Sequence, residues 1–358
     1  MAYYPALVTE ALSKVIHPEK GKNIVELGMV EDDIRINGKR ISFSLIFDRP
    51  NDPLTGTLKR MCAEAIRTHV GADVEIDGNI FVKIRQRQAP AGPRPLPGIR
   101  HTIAVASGKG GVGKSTVTAN LAVALAQAGY RVGLLDADIF GPSVPIMLGT
   151  ADARPGLSPR SSEGHDMVEP VERYGVRMLS IGYFVNAEDA VVWRGAMATN
   201  ALRQLLTEAD WGELDYLLID MPPGTSDIHI SLVGLVKLSG AVVVSTPQKV
   251  ALADAIKGIS MFRNPKVDVP IIGLVENMAW FTPAELPQNR YYIFGQGGTR
   301  ALAQKMNLPL LAEVPIVQSI REDGDQGTPA ALDADSLTGR IFADLAARVV
   351  EQTEQANR

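Results

Sequence analysis

Gly108-Lys109-Gly110-Gly111-Val112-Gly113-Lys114-Ser115-Thr116 is the stretch on which the fold turns. It follows a short apolar run at residues 103–106 and leads into a helical pattern from Ser115, so the full G-x-x-x-x-G-K-[ST] string stands between a strand and a helix, as its chemistry requires. Gly108, Gly110, Gly111 and Gly113 leave no Cβ in the way of backbone N–H groups converging on phosphate oxygens, and the helix N-terminus behind them adds positive dipole. Lys114 is placed to neutralise β- and γ-phosphate charge. Ser115 is placed to ligate Mg2+, while Val112 and Thr116 complete the cradle.

Outward from this loop, short apolar runs alternate with helical periods. Residues 132–135, 178–181, 216–219, 241–244, 271–275 and 310–314 have few polar interruptions, which predicts strands buried on both faces. Helical spacing is found at 115–127, 197–209, 252–263 and 300–306. The fold class is therefore α/β: a mostly parallel sheet carrying a P-loop NTPase site, preceded by a small α+β domain. That small domain spans residues 1–86 and reads as helix, two strands, helix, strand. Leu7, Val8, Ala11, Leu12, Val15 and Ile16 form the first helical stripe, Asn37-Gly38 marks a hairpin turn, and Cys62 falls on the apolar stripe of the second helix. Residues 87–100, rich in Pro and Gly, form a semi-stiff linker before the large domain at 101–358.

Two acidic segments follow strands whose C-terminal ends face the loop. Asp136-Ala137-Asp138-Ile139-Phe140-Gly141-Pro142-Ser143 follows one, and Asp220-Met221-Pro222-Pro223-Gly224-Thr225-Ser226-Asp227 follows the other. Phosphoryl transfer needs a held metal and a water aligned on the γ-phosphorus. Asp220 is assigned to the metal with Ser115, Asp138 to the attacking water, and Asp136 to support of its loop. Gly141 and Gly224 read as hinges of two segments that sense the γ-phosphate. The guanine motif N-K-x-D is absent, so the nucleotide is ATP. The Asn277 amide is then expected at the adenine edge, with Pro315 and Ile316 on the ring face.

Composition narrows the partners. The 358 residues are 46% apolar and 21% charged, the balance of a folded chain with a large core. A net charge of -4 and a pI near 5.8 supply no positive field for nucleic acid or anionic lipid. No apolar window reaches membrane-spanning length. A single cysteine forms no disulfide within the chain, and a reducing cytoplasm is the expected location.

With these motifs in hand, the chain resembles the Mrp/ApbC family of iron–sulfur cluster carrier ATPases, within the MinD/ParA-like deviant P-loop class. SGKGGVGKST at 107–116, DADIFGPS at 136–143, WRG at 193–195, DMPPGTSD at 220–227, ENM at 276–278 and FGQGG at 294–298 carry the likeness across nearly the whole chain. The N-terminal domain looks like the MIP18-like domain often joined to it. The resemblance implies a nucleotide-sandwich homodimer in which Lys109, grouped with Lys114 and Asp138 as catalytic, reaches the partner subunit's phosphates. It also implies iron–sulfur assembly or client apoproteins as partners, and a cluster held at the subunit interface by a C-x-x-C pair after the ENM segment. In this chain residues 279–293 read AWFTPAELPQNRYYI and contain no cysteine. Carriage of a cluster through the family's thiolates is therefore not available. An ATP-dependent dimeric scaffold without a bound cluster is the alternative reading.

Overall fold

A computed structural model describes residues 4–31, 33–47, 52–84, 95–139, 141–161, 166–184, 196–225 and 227–357. Most of the proline-rich segment, the WRG string, Phe140 and Ser226 lie outside the described residues. The chain divides into two compact units, Met1–Pro90 and Ala91–Arg358.

In the first unit, helix α1 (Pro5–Leu12) precedes strands β1 (Arg35–Asn37) and β2 (Arg40–Phe47), helix α2 (Thr55–His69) and strand β3 (Ile80–Ile84). The sheet order is β1-β2-β3, with β1 antiparallel and β3 parallel to β2. Ile41, Phe43, Leu45 and Phe47 alternate along β2 and pack with Leu58, Cys62 and Ile66 of α2 and with Val8 and Leu12 of α1. Period-two spacing on a strand meets a helical stripe, which is why this short unit closes a core.

Two local expectations differ from the structure. The first helix stops at Leu12 and does not reach Ile16. The Ser13 hydroxyl turns back to the Glu10 carbonyl at 2.7 Å, and Ile16 leaves the helix to pair antiparallel with Asn23. The hairpin turn is Gly38-Lys39, one residue later than expected, because Asn37 pairs directly with Arg40. In the turn that follows Ile16, His17 is only 5% exposed. Its Nδ1 accepts the N–H groups of Glu19 and Lys20, both at 3.2 Å, and so tightens the turn after Pro18.

The second unit is built on one eight-stranded sheet. Its strands are β4 (Ile99–Ser107), β5 (Val132–Asp136), β6 (Val171–Arg173), β7 (Val176–Ser180), β8 (Leu214–Asp220), β9 (Gly240–Ser245), β10 (Ile271–Phe281) and β11 (Leu310–Ile316). They lie in the order β11-β10-β9-β4-β8-β5-β7-β6. Every neighbouring pair is parallel except β6 and β7. The helices are α3 (Lys114–Gln127), α4 (Val144–Met147), α5 (Ala196–Thr207), α6 (Asp227–Leu235), α7 (Lys249–Phe262), α8 (Gly298–Met306), α9 (Gln318–Asp325) and α10 (Leu337–Ala356).

Both sheet faces are covered. Ile103, Val105, Leu134 and Leu218 point into a core with α3 and α10, through Val117, Leu121, Phe342 and Leu345. Their neighbours Ala104, Ala106, Leu135 and Leu217 point into a second core with Leu202, Leu206, Leu232 and Phe262. A strand that feeds two cores has no polar face to show, hence the unbroken apolar runs. Strand β4 sits centrally between β9 and β8, and the chain reverses its direction of travel across the sheet there, which places a crevice at the carboxyl ends of the strands. No helix among the described residues is long and apolar enough to cross a membrane.

Candidate functional site

Strand β4 ends at Ser107 and α3 begins at Lys114, with the glycine-rich loop between them. Two close approaches explain its composition. At Gly108 a Cβ would lie 2.1 Å from the Asp254 carbonyl carbon, so α7 backbone occupies the space a side chain would need. Gly113 caps α3 with φ +80°, and a Cβ there would meet the Asn277 amide nitrogen at 2.2 Å. The loop is also tied from both ends. Ser107 Oγ donates to the Lys109 carbonyl at 3.0 Å, and Asn277 Nδ2 donates to the Val112 carbonyl at 2.9 Å.

Below the loop lies a compact polar cluster. Lys114 Nζ is 2.7 Å from Asp220 Oδ2 and 3.0 Å from Ser115 Oγ. Ser115 Oγ donates to Asp220 Oδ2 at 2.6 Å, and Thr118 Oγ1 lies 2.7 Å from Asp220 Oδ1. Asp220 is fully buried, and each of its oxygens therefore has a partner, as a buried charge demands. The Ser115 hydroxyl beside this carboxylate forms an oxygen donor set of the kind Mg2+ takes when phosphate oxygens and waters fill its remaining positions.

Asp136 stands opposite Asp220 in register across β5 and β8. It accepts the Asp138 N–H at 3.1 Å, the Val144 N–H at 3.3 Å and the Ser180 hydroxyl at 3.0 Å. Burial first, and the neighbouring Asp220 carboxylate second, push the Asp136 carboxyl above the usual carboxylate range. Its geometry is that of a clamp on the segment carrying Asp138. Asp138 and Lys109 are half-buried and line, with Lys114, Ser115 and Pro223, a cavity of about 200 Å3. A larger cavity of about 450 Å3 adjoins it, lined by Gly113, Thr116, Asn277, Phe294, Pro315 and Ile316 among others. The loop residues and the three aspartates thus converge at one end of the sheet, and Asn277 and Pro315 border the larger cavity. Strand β10 runs on to Phe281, past the expected end at residue 275, so Asn277 lies within the strand, and its amide also holds the loop.

Sequence reasoning missed Thr118 and His229. Thr118 stands one helical turn after Lys114 and is fully buried, so a hydroxyl on an otherwise apolar helix face was the available signal. His229 is fully buried on α6, with Nε2 2.9 Å from the Pro222 carbonyl oxygen.

The segment after β10 is closed by reciprocal backbone hydrogen bonds between Phe281 and Tyr291, both 2.8 Å. The Arg290 guanidinium lies 4.4 Å from the Trp280 ring centroid, and Leu286, Tyr291, Tyr292 and Ile293 are exposed. No group of three metal-ligating His, Cys, Asp or Glu side chains is found among the described residues. Cys62, the one cysteine, is fully buried in the first unit, and burial pushes its thiol up to about 12. The donor set for a thiolate-held iron–sulfur cluster does not fit this chain.

Comparison with known proteins accounts for both units. A family model described as NUBPL iron-transfer P-loop NTPase matches residues 98–350, and one described as iron-sulfur cluster assembly protein matches residues 6–77. The iron-sulfur cluster carrier protein of Synechocystis sp. is 38% identical over 355 residues, covering 98% of this chain and 99% of that protein. A nucleotide-binding protein from Archaeoglobus fulgidus, solved in complex with ADP, superposes with a TM-score of 0.58 at 37% identity. The match covers 68% of this chain and 92% of that one. The septum site-determining protein MinD from Pyrococcus horikoshii, solved with Mg-ADP, gives 0.52 at 25% identity over 72% of this chain and 98% of that one. A phosphate loop backed by Lys114 and Asp220, on a sheet shared with these nucleotide-bound proteins, agrees with a relative matched from end to end: the chain belongs to the family of iron–sulfur cluster carrier P-loop NTPases.

Proposed function

We propose that this chain binds Mg·ATP at residues 108–116 and hydrolyses it as a nucleotide-sandwich homodimer that serves iron–sulfur protein assembly. The observation that carries the reading is the Lys114–Ser115–Asp220 cluster directly beneath the glycine-rich loop. Loop N–H groups and Lys114 hold the phosphates. Ser115 and Asp220 would hold Mg2+, which would supply neutralisation of phosphate charge. Asp138, fixed through its own N–H to Asp136, orients the attacking water. The adenine enters the larger cavity, where Pro315 and Ile316 offer apolar surface and Asn277 a polar edge. Lys109 reaches the partner subunit's phosphates, and assembly factors or client apoproteins are the partners.

The absence of a thiolate pair after β10 favours a second reading of the cargo half. In it the ATP state sets the geometry of a dimeric scaffold that holds no cluster of its own. The nucleotide chemistry is the same in both readings.

One set of steady-state and binding measurements tests the proposal. Asp138→Asn keeps the backbone N–H bonded to Asp136 and removes the carboxylate. It lowers kcat by about 100-fold, within the range for a lost general base, and leaves nucleotide affinity nearly unchanged. Equal losses of turnover and affinity would assign Asp138 a structural role. Wild type is expected to gain molecular mass on adding ATP, as read by solution scattering, and Lys109→Ala to abolish that gain; a variant that still dimerises and turns over normally contradicts the cross-subunit contact.

A further inference from the structure

We propose that His229 is a positioning residue that holds the segment after β8 against the phosphate loop, a role that rests on the ATPase reading above. His229 is fully buried on α6, two residues into the helix from Asp227. Its Nε2 lies 2.9 Å from the Pro222 carbonyl oxygen. A carbonyl only accepts, so this nitrogen carries the proton and donates.

The bond is placed where it controls the segment. Asp220 and Pro222 are two residues apart. Next to them, the Met221 N–H donates to the Val105 carbonyl at 3.0 Å and the Gly224 N–H to the Ser107 carbonyl at 3.0 Å. These tie the segment to the end of β4, just before the loop. Pro223 faces the loop directly, 3.9 Å from where a Cβ on Gly110 would stand. Between the two backbone ties, Pro222 and Pro223 have no N–H with which to anchor themselves. The Pro222 carbonyl is the group through which a side chain can fix this part of the turn, and His229 takes it from the α6 side.

An apolar residue would fill the same space at lower desolvation cost, so the imidazole is explained by the hydrogen bond and not by packing. Its effect is on the reaction's geometry. With Pro222 held, Asp220 and Gly224 keep fixed distances to the phosphate loop, and γ-phosphate contact is made by a segment already in place. Without it, the Pro222 carbonyl loses this tie to α6 while the Met221 and Gly224 backbone bonds remain.

The test compares wild type, His229→Leu and His229→Gln for Mg·ATP turnover, ADP affinity and affinity for a non-hydrolysable ATP analogue. Gln carries an N–H donor at a reach similar to Nε2. Leu is expected to lower kcat about tenfold, the equivalent of one lost hydrogen bond in the transition state, with ADP affinity within about twofold of wild type. Gln is expected to recover most of the lost rate. Unchanged turnover in the Leu variant, a parallel fall of turnover and ADP affinity, or a Gln variant no better than Leu each overturns the assignment. Should wild type bind nucleotide without turning it over, the hydrolysis reading fails by itself. The ratio of analogue to ADP affinity then decides His229: a fall of about fivefold in the Leu variant that the Gln variant recovers supports it, and an unchanged ratio overturns it.

Discussion

Lys114→Ala lowers ATP turnover by about 100- to 1,000-fold, the scale for losing one preorganised charge donor from a phosphoryl-transfer site. The residue is 6% exposed and is the cation set between Asp220 and the loop. Removing it takes away the charge that meets the β- and γ-phosphates, so affinity for Mg·ATP falls with the rate. A second effect accompanies this one. Asp220 and Asp136 are both fully buried in register on adjacent strands, and Lys114 is the ammonium that compensates them. Taking one partner from a buried ion pair costs about 3–5 kcal/mol of stability in comparable cases. Thermal melting with and without nucleotide separates the two effects: Mg·ATP raises the midpoint of wild type and leaves that of the variant where it was. A variant with wild-type turnover would remove the phosphate site from this loop.

Anaerobic reconstitution with iron and sulfide leaves this protein with far less than one iron per chain, where a cluster bridged between subunits would give a stoichiometric amount. The reason is the inventory of donors. Iron–sulfur clusters are held by thiolates, and the single cysteine is fully buried on α2 with its thiol pushed up to about 12. At neutral pH it is a thiol packed among Phe43, Leu58 and Ile66, not a ligand. The end of β10 and the segment after it present Trp280 stacked under Arg290 and a backbone closure between Phe281 and Tyr291. Stoichiometric iron and acid-labile sulfide that survive gel filtration would show that a cluster is held by another route. Their loss or retention in Cys62→Ala would then say whether the thiol takes part.

What could be read from the chain follows the range over which each interaction acts. The glycine-rich loop is nine consecutive residues, so its place between a strand and a helix is legible. The strands of the large sheet are legible because each feeds two cores and shows no polar face. Strand β6 is not, since three residues with only Val171 half-buried give no period to count. Helix α9 has no buried residue at all and is supported by surface pairs, Gln318 with Glu322 at 2.7 Å and Arg321 with Asp325 at 2.9 Å, so it lacks an apolar stripe. Long-range contacts are harder still. Thr118 meets Asp220 across 102 positions and Asn277 meets Val112 across 165. The burial of His17 is illegible for a different reason: its ring satisfies two backbone donors of its own turn, and nothing in a single sequence distinguishes that ring from one in solvent.

The seclusion of Cys62 has a practical side. A maleimide or nitroxide reagent needs an accessible thiolate, and the native chain offers none under ordinary conditions. Any cysteine introduced at an exposed position, such as Leu286→Cys, becomes the one addressable handle on the molecule without prior removal of a native residue. Were two copies to associate as proposed, distances between two such labels, one from each copy, could be followed by spectroscopy through a nucleotide cycle in the otherwise unaltered polypeptide.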